Sequence, residues 1–194
     1  MRFLLVFLAI ACSAMARPNI LFIMSDDHAS EAVGAYDSWL KKYCTTPTID
    51  RLAAEGMRFT NVCCNNSICS PSRATILTGQ YSHKNGVPSL NGAISENSPQ
   101  VAAELQKAGY QTGVFGKWHL TSQPKGFDTY KVTRGQGSWF DPVFYTKTGQ
   151  WYGKKKKRDR VPGEKHTGYC SDVYTDQALQ WLEARDAKKP FCMM

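Results

Sequence analysis

The sequence predicts an α/β protein, a mostly parallel sheet flanked by helices. Two patterns carry that reading. Short apolar runs alternate with helix-length amphipathic segments, the signature of strands connected by crossover helices. Residues 19–24, Asn-Ile-Leu-Phe-Ile-Met, form an unbroken apolar run of the kind expected for a strand buried on both faces. Hydrophobic residues make up 42% and charged residues 21% of the 194, globular values that exclude a disordered tail or a collagen-like rod. A chain of this length buries a core without disulfides and forms one domain or part of a larger one.

Taken in order, residues 1–16 have the form of a secretory signal peptide: Arg2 gives a positive start, Phe3 to Ala11 is apolar, and Ala14-Met15-Ala16 is a small-x-small cleavage site. The run is well short of the roughly 20 residues that span a bilayer. The expectation is therefore export (secreted, periplasmic or lysosomal), with no membrane attachment once the signal is cleaved. Loss of Cys12 with that segment leaves Cys44, Cys63, Cys64, Cys69, Cys170 and Cys192. Their spacing does not match a zinc site, and their connectivity stays open.

Residues 48–55 read as a helix with Ile49, Leu52 and Ala53 on one side, closed by Gly56, and residues 57–62 as a second strand. A helix over residues 70–78 follows, with Ser70 as N-cap, Pro71 in the first turn and Gly79 after the end. Residues 82–98, rich in Gly, Asn and Ser, predict a loop. Residues 99–108 predict a helix that aligns Val101, Leu105 and Ala108, and residues 111–115 a strand. Residues 121–167 look irregular, and residues 174–185 return to helix with Tyr174, Ala178, Leu179 and Leu182 on one face. Residues 188–194 read as a turn entering a further strand, which would leave an unpaired sheet edge. The chain therefore reads as truncated. Sites in parallel sheets form at the carboxyl ends of strands. Asp26-Asp27 and the pair Lys117, His119 both fall at such ends.

The most informative stretch is Cys69-Ser70-Pro71-Ser72-Arg73, a C-x-P-S-R motif followed by a short helix and Thr78-Gly79. Together with Asp26-Asp27-His28 after the first strand and Gly116-Lys117-Trp118-His119, it resembles the type I sulfatases of the alkaline-phosphatase-like superfamily. Three motifs occur in family order over most of residues 17–119. The resemblance implies that residues 17–194 form the N-terminal part of a sulfatase catalytic domain.

It also implies the chemistry. The cysteine of this motif is oxidised by a formylglycine-generating enzyme, so Cys69 would become formylglycine, whose hydrate attacks the sulfur of a sulfate ester and then expels sulfate. Asp26, Asp27 and modified Cys69 would hold Ca²⁺ or Mg²⁺, ions that favour hard oxygen ligands. The start of the helix would aim backbone N–H groups at the sulfate. Arg73 would bond the diol, Lys117 would bind sulfate, and His119 would receive or orient the diol proton. The substrate is then a sulfated small molecule or polysaccharide.

Outside that context each residue has an ordinary reading: the aspartates as a solvated turn, Cys69 as a disulfide partner or small buried residue, and Arg73, Lys117 and His119 as charges at element ends. The other candidates are weaker still. His28 fits the mouth of the site or an exposed position, and His83 a structural role in its loop. The basic run 154–158 fits a polyanion grip but more simply a solvated loop. Asn65-Asn66-Ser67 fits the glycosylation pattern. Trp139, Phe140, Phe144, Tyr145, Trp151 and Tyr152 fit either a sugar cleft or local packing.

The formal charge of +8 favours acidic partners, but an export signal argues against nucleic acid. The family's second metal-binding pair, a further lysine and histidine, and a smaller C-terminal subdomain have no counterparts here. Two carboxylates and a diol give about five of the roughly 6–8 oxygens that Ca²⁺ takes, which predicts weak metal binding and little turnover by the 194 residues alone. Two alternatives stay open: a phosphonate or phosphate ester hydrolase of the same superfamily, and a non-catalytic protein that binds sulfated glycans.

Overall fold

The computed structural model describes residues 17–148, 151 and 163–194; the predicted signal segment and the basic run 154–158 lie outside the described residues. The frame is a four-stranded parallel sheet. Strand β1 (Ile20–Leu21), β2 (Gln111–Lys117), β3 (Thr129–Thr133) and the last strand, β6 (Phe191–Met193), are ordered β1-β6-β2-β3. Gly113 of β2 pairs with Thr129 and Lys117 with Thr133; on the other side Gln111 pairs with Phe191. Ile20 pairs with Cys192. A small antiparallel pair, β4 (Val143–Phe144) with β5 (Glu164–Lys165), lies outside this sheet.

Alternation along β2 sorts its side chains to two faces. Phe115 meets Trp181 of helix α5 (Cys170–Ala184) at 6.0 Å between ring centroids, and a Cβ on Gly113 would sit 3.2 Å from the same indole. Val114 faces the other way, into a core with Ala74 and Leu77 of helix α2 (Cys69–Thr78), Ala102 of helix α4 (Val101–Lys107), and Trp118, Leu120, Phe127, Tyr130, Val132 and Trp151. Helices thus cover both faces, as the alternating pattern predicts. Helix α1 (Pro47–Glu55) and a one-turn helix, α3 (Ser82–Asn85), complete the set.

Helix α2 ends as the sequence predicts, with Gly79 left-handed at φ 66° and its N–H bonded to Thr75 O at 2.8 Å. Its start differs. The helix begins at Cys69 with Ile68 as N-cap, and Ser70 does not cap it. The Ser70 hydroxyl instead donates to His119 O at 2.6 Å, because the first turn is buried against the end of β2.

Other expectations are corrected. The run 19–24 is not buried on both faces: β1 is an edge, with β6 beside it and no strand on its far side among the described residues, so Leu21 and Ile23 are exposed. Residues 57–62 form no strand; Met57, Phe59 and Val62 are exposed, with no ladder alongside. The loop at 82–98 contains α3, and helix α4 buries Ala102 rather than Val101. The region 121–167 hides β3, whose Thr-Tyr-Lys-Val-Thr places Tyr130 and Val132 in the core, while the Lys131 amine reaches out to Gln177 of α5. Helix α5 starts four residues early, at Cys170, and leaves Leu179 exposed. Strand β6 forms where predicted but lies inside the sheet, not at an unpaired edge. All six remaining cysteines are free thiols, Cys170 and Cys192 buried and Cys63 and Cys64 exposed. Among the described residues no helix is long and apolar enough to cross a membrane.

Candidate active site

Three elements bring the site together at the carboxyl end of the sheet. The segment after β1 supplies Asp26. The first turn of α2 supplies Cys69 and Arg73, four residues apart and so on one helix face. The end of β2 supplies Lys117, and a sharp turn with Gly116 at φ 120° and His119 at φ 51° carries the chain away.

Asp26 lies between two cations. Its Oδ2 is 2.7 Å from Arg73 Nη2 and 3.0 Å from Lys117 Nζ, and both cationic side chains are largely buried. Arg73 also donates through Nη1 to the Lys117 carbonyl, locking α2 onto the strand end. Partial burial pushes the Asp26 carboxyl pKa up, but the hydrogen bonds from Arg73 and then Lys117 outweigh it, and the pKa falls below its ordinary value of 3.8. Two positive groups thus face the single Asp26 carboxylate, leaving that trio with a net positive charge.

Cys69 completes the group. Its Sγ is 3.8 Å from Asp26 Oδ1 and 3.4 Å from Lys117 Nζ. The third ammonium contact of Lys117 is Gln136 Oε1 at 2.5 Å, from the turn after β3. His119 is 5% exposed and its Nδ1 has no hydrogen-bond partner among the described residues. Burial first, then the Lys117 and Arg73 charges, lower its pKa below 6.5, against a smaller opposing effect from Asp26. The imidazole is therefore neutral at neutral pH and free to accept a proton.

Of the residues singled out in the sequence, Asp26 and Lys117 contact each other and each contacts both Cys69 and Arg73. His119 joins them through Ser70 and the Lys117 backbone. Asp27, left-handed at φ 50°, is exposed and makes no hydrogen bond or ion pair among the described residues. His28 is also exposed and contacts Ser25 Oγ at 3.2 Å, outside the cluster. His83 is exposed in α3, not in a loop, and its ring stacks on Tyr81. The aromatics divide: Phe144 and Trp151 are buried, whereas Trp139 and Phe140 are exposed beside Tyr169. Tyr152 lies outside the described residues. Sequence reasoning did not single out Gln136, which sits between two glycines in a stretch without periodicity. It also assigned Ser70 to the wrong partner.

Asp26 Oδ1 faces Cys69 and Asp27 is its exposed neighbour in sequence, two carboxylates of the kind that hard cations take. Among the described residues no group of three or more His, Cys, Asp or Glu side chains converges on a common point.

The family model described as Sulfatase matches residues 18–194. The N-acetylglucosamine-6-O-sulfatase of Bacteroides thetaiotaomicron is 42% identical over 181 residues, 92% of this chain and 30% of that protein. Human N-acetylgalactosamine-6-sulfatase is 34% identical, with 93% of this chain matched to 39% of its own length. A solved structure described as a complex with its substrate D-glucosamine-2-N,6-O-disulfate superposes with a TM-score of 0.80 at 41% identity, covering 92% of this chain and 33% of that one. The parallel sheet with helices on both faces is that of the alkaline-phosphatase-like sulfatases. The chain spans roughly a third of the length of these relatives.

Proposed function

Since the chain belongs to the sulfatase family, we propose that the protein is a sulfuric ester hydrolase, that residues 17–194 form the N-terminal part of its catalytic domain, and that Cys69 is its nucleophile position after conversion to formylglycine. The observation that carries this reading is the Asp26 carboxylate held by Arg73 and Lys117 directly beside Cys69.

In this proposal Asp26, Asp27 and the oxygen at position 69 hold Ca²⁺ or Mg²⁺, which supplies Lewis-acid activation when bound. The hydrated formyl group supplies the hydroxyl that attacks sulfur. The remaining work belongs to side chains. Lys117 and Arg73 face the sulfate oxygens and offset the charge that builds on them. His119, neutral because of burial and its cationic neighbours, takes the nucleophile's proton at an imidazole nitrogen as the new O–S bond forms. The ester S–O bond breaks as His119 passes that proton to the departing alcohol, and loss of the proton from the hydrate's second hydroxyl then expels sulfate and restores the formyl group. Arg73 also fixes the Asp26 carboxylate, so that only Oδ1 faces position 69.

The substrate is a sulfated sugar, with 6-O-sulfated glucosamine or N-acetylglucosamine first in order; support comes from the names of the two most informative relatives. The N-terminal segment sends the protein out of the cytoplasm. The test is sulfate release from N-acetylglucosamine 6-sulfate, an aryl sulfate and an aryl phosphonate by the full-length protein, produced with a formylglycine-generating enzyme. Hydrolysis of the sulfates that disappears in Cys69→Ala supports the proposal. Faster hydrolysis of the phosphonate would move the assignment to a phosphonate hydrolase, and no turnover with intact formylglycine would end it.

A further inference from the structure

We propose that Gln136 is a positioning residue for Lys117 and, through its outward amide, a contact for the substrate's sulfate group. The proposal rests on the sulfatase reading and adds a residue to its site. The Lys117 ammonium has three protons and no lone pair, so every partner must be an acceptor. In the unmodified chain the structure supplies three acceptors, Asp26 Oδ2 at 3.0 Å, Cys69 Sγ at 3.4 Å and Gln136 Oε1 at 2.5 Å, and in the formylglycine form the acceptor at position 69 is an oxygen. The first two lie inside the site. Gln136 reaches in from the exposed turn beyond β3, and among the described residues it is the contact that holds the ammonium from the solvent side.

That contact determines the orientation of the amide. Because Oε1 must face the ammonium, the NH₂ end is turned away from it, and Nε2 has no partner among the described residues. Gln136 is exposed, so this donor-only end is open to solvent on the residue that holds the Lys117 ammonium. Such a group suits a sulfate oxygen, or a hydroxyl accepting on the sulfated sugar, and is indifferent to apolar leaving groups. A carboxylate in its place would keep the grip on Lys117 and lose the donor, adding negative charge where sulfate must pass.

This contrast makes the test. The full-length, formylglycine-bearing protein is compared with Gln136→Ala and Gln136→Glu in steady-state hydrolysis and in calorimetric binding of inorganic sulfate. Gln136→Ala should lower kcat/KM about 10-fold, and Gln136→Glu about 100-fold, chiefly through KM. Inorganic sulfate should bind more weakly in the same order. Glu is closer to Gln in size and reach than Ala, so a residue that only supports the turn would show the opposite order, with Glu the milder change. That order, or both variants within twofold of the parent, overturns the proposal. A parent that binds sulfate but hydrolyses no ester ends the catalytic reading alone, because the binding series still decides the role of Gln136. A parent that does neither removes the anion site and overturns both.

Discussion

Ser70 Oγ donates a 2.6 Å hydrogen bond to the carbonyl of His119, and both residues are buried. The bond joins the helix that begins at Cys69 to the turn that follows Lys117, so the two halves of the cluster move as one unit. The same hydroxyl accepts from Asn91 N at 3.4 Å. Ser70→Ala leaves the His119 carbonyl without its partner, and an unmet buried acceptor costs about 1–3 kcal/mol. The expected outcome is a lower denaturant midpoint at unchanged slope, with kcat reduced as the His119 turn loosens.

Arg73 makes a directed contact with each of two elements, one guanidinium nitrogen on Asp26 and another on the Lys117 carbonyl. A lysine at this position supplies charge but not two fixed donors. Arg73→Lys should therefore fold yet lose about 10²-fold in kcat/KM, the usual cost of removing one pre-aligned donor at a developing charge. A loss under threefold would mean that charge alone is what the site requires.

His119 sets the acid limit. Its pKa is lowered, so the unfolded chain binds the proton more readily than the folded one. Its contribution to stability is complete above the ordinary value of 6.5 and is lost as pH falls from there through the lowered folded value. Activity should follow the same direction, with the acid limb of the kcat profile falling below pH 6.5 rather than at it. An acid limb above 6.5 would show that a different group carries the proton.

Gly126 stands at φ 79°, and a Cβ there would lie 2.2 Å from the backbone nitrogen of Ala103 in α4. Gly126→Ala combines a backbone conflict with a left-handed strain, and such incompatible substitutions cost more than about 1 kcal/mol. The thermal midpoint should fall clearly. The matching change Gly135→Ala, also left-handed but with nothing within 4 Å, should cost less.

The site was more legible in the sequence than the sheet. Cys69, Arg73, Asp26 and Lys117 stand out by residue type and order, and the fold brings these four together. The strand at 129–133 was hidden because its middle residue is Lys131, whose stem crosses toward α5 and whose amine finds Gln177. The run 57–62 misled for the opposite reason: apolar residues with strand composition form no strand without a neighbouring ladder. Ser70 before Pro71 is the usual form of a helix cap, and only the tertiary contact with His119 reassigns that hydroxyl. Gln136 left no signal, since its role depends on where β3 delivers it.

Strand β6 sits between β1 and β2, although the residues that it joins are far apart in sequence: Asn19 Oδ1 accepts from Phe191 N across 172 positions. On a ribosome, β2 and β3 can pair as soon as residue 133 has emerged, but β1 has no seat until Phe191–Met193 arrive. Closing so long a loop is slow compared with forming local pairs. Asp26 follows β1, so its carboxylate is placed against Arg73 and Lys117 only once β6 has paired with β1. Cys69 and Lys117 both precede residue 133, so the acid that lies between them in the folded protein is the member of the cluster whose seating depends on β6.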